Sequence, residues 1–154
     1  MGNTLEFYLI DSEILRELVS DENFEFYFSE TVFYDAMADF SLHLTMKDLN
    51  LLSRQFGKFS RQKPIDIRPY MDIFIDTPGY GLIGIQKKWV RYAAKVKEKH
   101  IDKIIEAWFI AIQNEYQDEE IIATQEAKQA VQDLMLICKA AKKKDKELIH
   151  IWLQ

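Results

Sequence analysis

Gly79, Gly81 and Gly84 stand at G-x-G-x-x-G spacing in "GYGLIG", directly after the apolar stretch "MDIFID". Such a loop can cradle a pyrophosphate on backbone N–H groups at a helix N-terminus, and Lys87 or Lys88 could then reach a phosphate. The dinucleotide version requires its first glycine straight after a strand, inside a βαβ unit, with a helix following. Here Asp76, Thr77 and Pro78 intervene, and "LIGIQ" reads as a returning strand rather than a helix start. Pro-Gly is a strong turn signal, the glycine supplying positive φ. The reading is therefore a hairpin turn, with a small residual anion loop of Gly79, Gly81, Gly84 and Lys87. The GK[ST] ending of a P-loop is missing, and so are the downstream motifs of a protein kinase.

Other reactive side chains are dispersed. His43, His100 and His150 lie some fifty residues apart, with no HxxH or HExxH spacing to suggest a metal. His150 alternates with Leu148 and Trp152 on a predicted strand, the pattern of a half-buried histidine rather than a general base. Cys138 falls on the apolar stripe of a predicted helix, where a thiol behaves as a small hydrophobe. Asp72 and Asp76 would be about 13 Å apart along a strand, too far for a carboxylate pair. No catalytic residue, cofactor site or metal site is expected, and the reading leans away from an enzyme.

Composition bounds the rest. The 154 residues, 48% hydrophobic with three prolines, suit one globular domain spanning 1–154. A lone cysteine rules out an intramolecular disulfide, and the opening residues lack the basic and apolar regions of a signal peptide. Glu6 stands where a myristoylation signal has Ser or Thr. With no membrane-length apolar run, a cytoplasmic setting is expected. Charge is bipolar: residues 1–50 carry net −9, residues 51–100 net +7 and residues 101–154 net −3, for −5 in all.

The elements that must position these residues follow from periodicity. "TLEFYLI" reads as a strand, and Ile14, Leu15, Leu18 and Val19 form a helical stripe after an Asp11 or Ser12 cap. In "NFEFYFSETVFYDAMADF", Phe24, Phe26 and Phe28 alternate as in a strand, while Phe24, Tyr27, Phe28 and Val32 also fit a helix; a helix is expected over 30–40. Thr45 and Asp48 resemble a capping box, opening a helix at 46–56 that Gly57 could terminate. "IDIRPYMDIFID" places Ile65, Ile67, Met71, Ile73 and Ile75 on one pleat face, with Pro69 as a break. Residues 87–99 read as a basic surface helix, with Trp89, Tyr92, Ala93 and Val96 inward and Lys88, Arg91, Lys95 and Lys99 outward. Ile101 to Tyr116 is the clearest amphipathic helix, and a long helix is expected over about 119–143. "ELIHIWL" closes the chain as a strand.

The fold expected is α+β: a single domain with a mixed or antiparallel sheet containing both terminal strands, and several amphipathic helices packed mainly on one face. Phe7, Ile10, Asp11-Ser12-Glu13 and Leu18 after Met1-Gly2, with the late helix leading into "ELIHIWL", resemble the small bacterial YfbM-like family of uncharacterised proteins. That resemblance covers the two ends of the chain and implies no activity. The favoured function is a non-enzymatic bacterial interaction domain of the immunity or adaptor type. Its acidic, aromatic first third would offer Glu25, Tyr27, Glu30, Tyr34 and Asp35 to a basic protein partner. The same aromatics also suit a core with the acids as its solvated face. The alternative is a small enzyme or nucleotide-binding module using the glycine loop. Nucleic acid is disfavoured by the acidic total, although Trp89 and Tyr92 interleave with the basic stretch.

Overall fold

A computed structural model of the chain describes residues 4–20, 34–41 and 44–154. The Phe24–Phe28 alternation, the candidates Glu25, Tyr27 and Glu30, and His43 lie outside the described residues.

Apolar side chains on both pleat faces make "TLEFYLI" and "ELIHIWL" central strands, since a strand covered on both sides has no polar face to show. They form β1 (Thr4–Ile10) and β5 (Glu147–Leu153), which pair antiparallel from Thr4 opposite Leu153 to Ile10 opposite Glu147. Both ends of the described chain are thereby tied into the middle of the sheet. β2 (Ala36–Asp39) flanks β1, while the hairpin of β3 (Met71–Asp76) and β4 (Tyr80–Ile85) flanks β5. The order is β2-β1-β5-β4-β3, with every neighbouring pair antiparallel.

Helices α2 (Met46–Phe59), α3 (Lys87–Ala94), α4 (Ile101–Glu115) and α5 (Gln125–Lys144) supply the main core with Phe7, Leu9, Phe40, Ile83, Ile85 and Leu148. Trp89, Trp108 and Phe56 are its largest helical contributors. The other sheet face receives α1 (Ser12–Val19), whose Leu18 packs with Tyr8, Ile10, Ile75, Leu82, Ile149 and Ile151. The expected α+β domain, with helices mainly on one face, is the fold observed. Beside α1, Lys146 bridges Asp11 at 3.2 Å and Asp35, tying the approach to β5 to the α1 cap and the start of β2.

Several local expectations are corrected. The helix expected over 30–40 is strand at Ala36–Asp39, because the edge of β1 offers partners: Asp35 N–H donates to Leu9 O and Phe40 N–H to Leu5 O. Ala38 and Phe40 then turn into the main core. The Thr45/Asp48 capping box forms as expected, but α2 runs past Gly57 to Phe59. That glycine is needed for close approach, since a Cβ there would lie 2.8 Å from Pro64 Cα and 2.6 Å from the Tyr92 hydroxyl. The helix expected from 119 starts instead at Gln125, behind Thr124, whose hydroxyl accepts the Ala127 N–H.

The continuous pleat face from Ile65 to Ile75 is also interrupted. Pro69 sits in a 3₁₀ turn, Arg68–Tyr70, and a bulge falls between Ile73, opposite Ile83, and Ile75, opposite Leu82. An extra residue reverses which face the following side chains occupy. Ile75 therefore packs beneath α1, whereas Ile73 is 66% exposed on the edge strand. α3 ends at Ala94, short of the expected Lys99, with a separate 3₁₀ turn at Glu98–His100.

Candidate functional site

The glycine segment is a hairpin built into the sheet. Thr77, Pro78 and Gly79 make the connection, with Thr77 N–H donating to Tyr80 O at 3.0 Å and Tyr80 N–H to Thr77 Oγ1 at 3.2 Å. Gly81 lies opposite Asp76 on one side and Trp152 on the other; Gly84 lies between Asp72 and Ile149. No described glycine has positive φ, which corrects the conformational role expected for these residues. Gly81 and Gly84 instead make room for side chains: a Cβ would stand 1.9 Å from Trp152 Nε1 at the first and 2.5 Å from a Phe74 ring carbon at the second. Lys87 is held by Asp145 at 2.7 Å, with Glu147 at 3.8 Å. A strand paired on both sides, followed by an ion-paired lysine, leaves little backbone or charge for an anion.

The remaining reactive groups stay apart. His150 is buried, its Nδ1 3.2 Å from Glu6 O and its ring centroid 4.6 Å from that of Phe7; burial lowers its pKa to about 4, opposed in part by the Glu6 bond. It is a neutral core histidine. His100 stands beside Phe59 at the start of α4, its pKa lowered by desolvation and by Lys99 and Lys103. Burial pushes the Cys138 thiol up, leaving it a poor nucleophile. Among the described residues no three His, Cys, Asp or Glu side chains are grouped to hold a metal. Of the expected interaction residues, Tyr34 packs on Tyr8 with ring centroids 4.9 Å apart, and Asp35 is bound to Lys146.

What the fold does assemble is a basic groove of about 550 Å³ between α3 and the loop joining α2 to β3. Residues three or four apart on a helix lie on one face, so Lys88, Arg91 and Lys95, the last at the C-cap, line one wall. Trp89 and Ala93 anchor the opposite side of the helix in the core, and Tyr92 lies between that core and the groove. The loop supplies Lys63, Ile65 and Tyr70, and Lys88 Nζ stands 5.7 Å from the Tyr70 ring centroid, within cation–π range. Ile65, Tyr70 and Tyr92 form an apolar and aromatic floor, with four cations around it and, among the described residues, no carboxylate in the lining.

The loop is fastened rather than draped. Tyr92 donates its hydroxyl proton to Ser53 O and accepts from Ile65 N–H at 3.4 Å, while Ser53 Oγ donates to Ile65 O at 2.6 Å and accepts from Trp89 Nε1 at 2.9 Å. Gln62 Nε2 donates to Tyr92 O at 2.9 Å, and Asn50 Oδ1 receives the N–H groups of Ile67 and Arg68. Burial raises the Tyr92 pKa, so it stays a neutral phenol. The nearest loop acid, Asp66, is engaged by Arg54 at 2.7 Å. Preorganised cations over an aromatic floor can hold an anionic group and an apolar one together. Among the described residues the lining contains no histidine, cysteine or carboxylate.

Sequence reasoning found the cationic face of α3 but not the groove, because Lys63 and Tyr70 reach it through a docked loop. The basic string "GKFSRQKP" was the available signal. Among the described residues no helix is long and apolar enough to cross a membrane. Compared with known proteins, the chain matches no family model, no curated protein and no solved structure.

Proposed function

We propose that the protein is a non-catalytic interaction domain of the adaptor or immunity class, working through the basic groove. Its partner is an acidic protein segment that also carries an aromatic or aliphatic side chain. The observation that supports this reading is the set of four cations, Lys63, Lys88, Arg91 and Lys95, around an apolar floor with no acid beside them among the described residues. Carboxylates on the partner meet the rim, and an apolar anchor meets Ile65, Tyr70 and Tyr92. A basic partner docking on the first third has less support, because Tyr34 and Asp35 are engaged within the fold.

Charge also favours a short partner over an extended polyanion. The chain carries net −5, so phosphates running beyond the groove would meet an acidic protein. A short segment stays within a Debye length of about 8 Å of the groove's own cations.

Fluorescence anisotropy with labelled peptides tests the proposal. A Glu-rich peptide containing one Phe or Tyr is expected to bind more tightly than poly-Glu alone, and to weaken as salt rises. The double variant Lys88→Glu/Arg91→Glu, on the exposed face of α3, is expected to lose roughly tenfold in affinity or more, since each attraction becomes a repulsion. Unchanged affinity in that variant, or tighter binding of single-stranded DNA than of the peptide, overturns it.

A further inference from the structure

At the other end of α2 a second concavity has the opposite chemistry. The segment joining α4 to α5, residues 116–124, lies against the N-terminus of α2 and bounds a cleft of about 700 Å³. Leu44, Phe109, Ile112, Tyr116 and Ile121 give it apolar walls. Among the described residues its ionisable lining is Asp48, Glu119 and Glu120 beside the Tyr116 phenol, with no lysine or arginine. Lys47, next in sequence, is held by Glu115 at 2.5 Å.

Asp48 is the distinguishing group. It is 3% exposed and lines the cleft, yet its two carboxylate oxygens have different fates. Oδ2 closes the helix cap, accepting from Thr45 N–H at 2.8 Å and Thr45 Oγ1 at 3.2 Å. Oδ1 has no hydrogen-bond partner among the described residues. A buried acceptor left without a donor is costly, and Asp48 is not free to relieve that cost by swinging outward. Its backbone is fixed by the cap and by Trp108 Nε1, which donates to Asp48 O at 2.8 Å.

The backbone of the wall over it is also held in place. Gln113 Nε2 donates to Glu119 O at 2.6 Å and Tyr116 O at 3.2 Å, and its Oε1 accepts Ile121 N–H at 2.9 Å. The three bonds hold Ile121 beside the cleft and present Glu119 and Glu120 at its lining. An apolar cleft with a buried, donor-seeking carboxylate selects a hydrocarbon body bearing a cationic N–H donor.

We infer that this cleft binds an organic ammonium, a protonated amine with an aromatic or aliphatic body, whose N–H completes the free oxygen of Asp48 once the side chains that close it off from solvent move aside. The site is separate from the basic groove, and its ligand is of the opposite charge.

The test uses the whole chain with 2-phenylethylamine as probe and 2-phenylethanol as its uncharged counterpart, read by amide chemical shifts. Titration with the amine is expected to move residues 44–48, 109–116 and 119–127, and the alcohol to bind more weakly. Asp48→Asn keeps an amide oxygen for the Thr45 cap but puts an N–H₂ where the free oxygen was, and is expected to weaken the amine roughly tenfold or more. Ile121→Trp, which fills the cleft and leaves the Asp48 carboxylate in place, is expected to abolish amine shifts in a folded protein. Equal binding of amine and alcohol, or undiminished amine binding in Asp48→Asn, overturns the inference. So does an Asp48→Asn protein that melts higher while the wild type shows no amine shifts, which makes the oxygen a buried defect only.

Discussion

Gly81→Ala is expected to lower the melting temperature by roughly 6–12 °C, corresponding to about 3 kcal/mol in a domain of this size. The added Cβ would meet the Trp152 indole at 1.9 Å from Nε1, 2.4 Å from Cε2 and 2.7 Å from Cδ1. Both residues sit opposite one another on β4 and β5, where the backbones are paired and cannot separate without loss of the sheet. The indole must move, and it packs against the main core. Relief should come from its partner: in a Trp152→Leu background, Gly81→Ala should cost little. Gly79→Ala, with nothing within 4 Å of its Cβ, should stay within about 0.5 kcal/mol of wild type. Thermal unfolding of wild type and the four variants checks this, and a neutral Gly81→Ala beside a damaging Gly79→Ala would reverse the roles assigned to the two glycines.

This changes how the glycine spacing is understood. Three glycines in six residues read as freedom of φ or as a phosphate cradle, because sequence displays the missing side chains but not what occupies the space. The occupants, Trp152 and Phe74, come from a distant strand and from across the hairpin. A nucleotide-binding test based on a bulky Gly81 substitution would report damage to the sheet rather than loss of a ligand.

The second large effect belongs to His150. Its folded-state pKa is lowered from 6.5 to about 4, chiefly by burial. The unfolded chain therefore takes the proton first. Stability from this group is complete above pH 6.5 and is lost as pH falls toward 4, by roughly 3 kcal/mol across that window. His150→Gln keeps a donor for the Glu6 carbonyl but does not titrate. Denaturant unfolding at pH 7 and pH 4.5 should show a steeper decline for wild type than for His150→Gln, the difference isolating this residue from the carboxylates. Parallel declines would mean that His150 accepts its proton without unfolding the core.

Much of the architecture was legible because it is local. The Thr45/Asp48 cap, the Trp89–Tyr92–Ala93 stripe of α3 and the Ile101–Ile112 stripe of α4 are written at helical spacing, and all three form. β1 and β5 carry apolar residues on both pleat faces, Glu6 and His150 apart, as central strands require. What failed was set by distant partners. "AMAD" becomes strand because β1 has an unpaired edge there, and nothing within those four residues says so. Ile73 and Ile75 part company because Phe74 is the extra residue of a bulge: Ile75 turns beneath α1, while Ile73 stays exposed on the edge strand. "EEIIA" contains good helix formers, yet Gln113 fastens it as a wall while Thr124 caps the helix beyond.

The candidate surfaces divide in the same way. Lys88, Arg91 and Lys95 were legible as one helix face; Lys63 and Tyr70 were not, since their position depends on Ser53, Asn50 and Tyr92 holding the loop. Asp48 was legible as a cap, but a cap uses only one of its oxygens. The fate of the other is decided by α4 and by the segment at 116–124, sixty or more residues away.

Amide chemical-shift mapping with a Glu-rich, single-Phe peptide is the most direct measurement of the groove's role. The predicted result is a set of salt-sensitive shifts confined to residues 62–70 and 87–95, with residues 44–48 and 116–127 unmoved. Shifts centred outside the groove, or none while peptides of opposite charge perturb the first forty residues, would contradict an acidic partner at this surface.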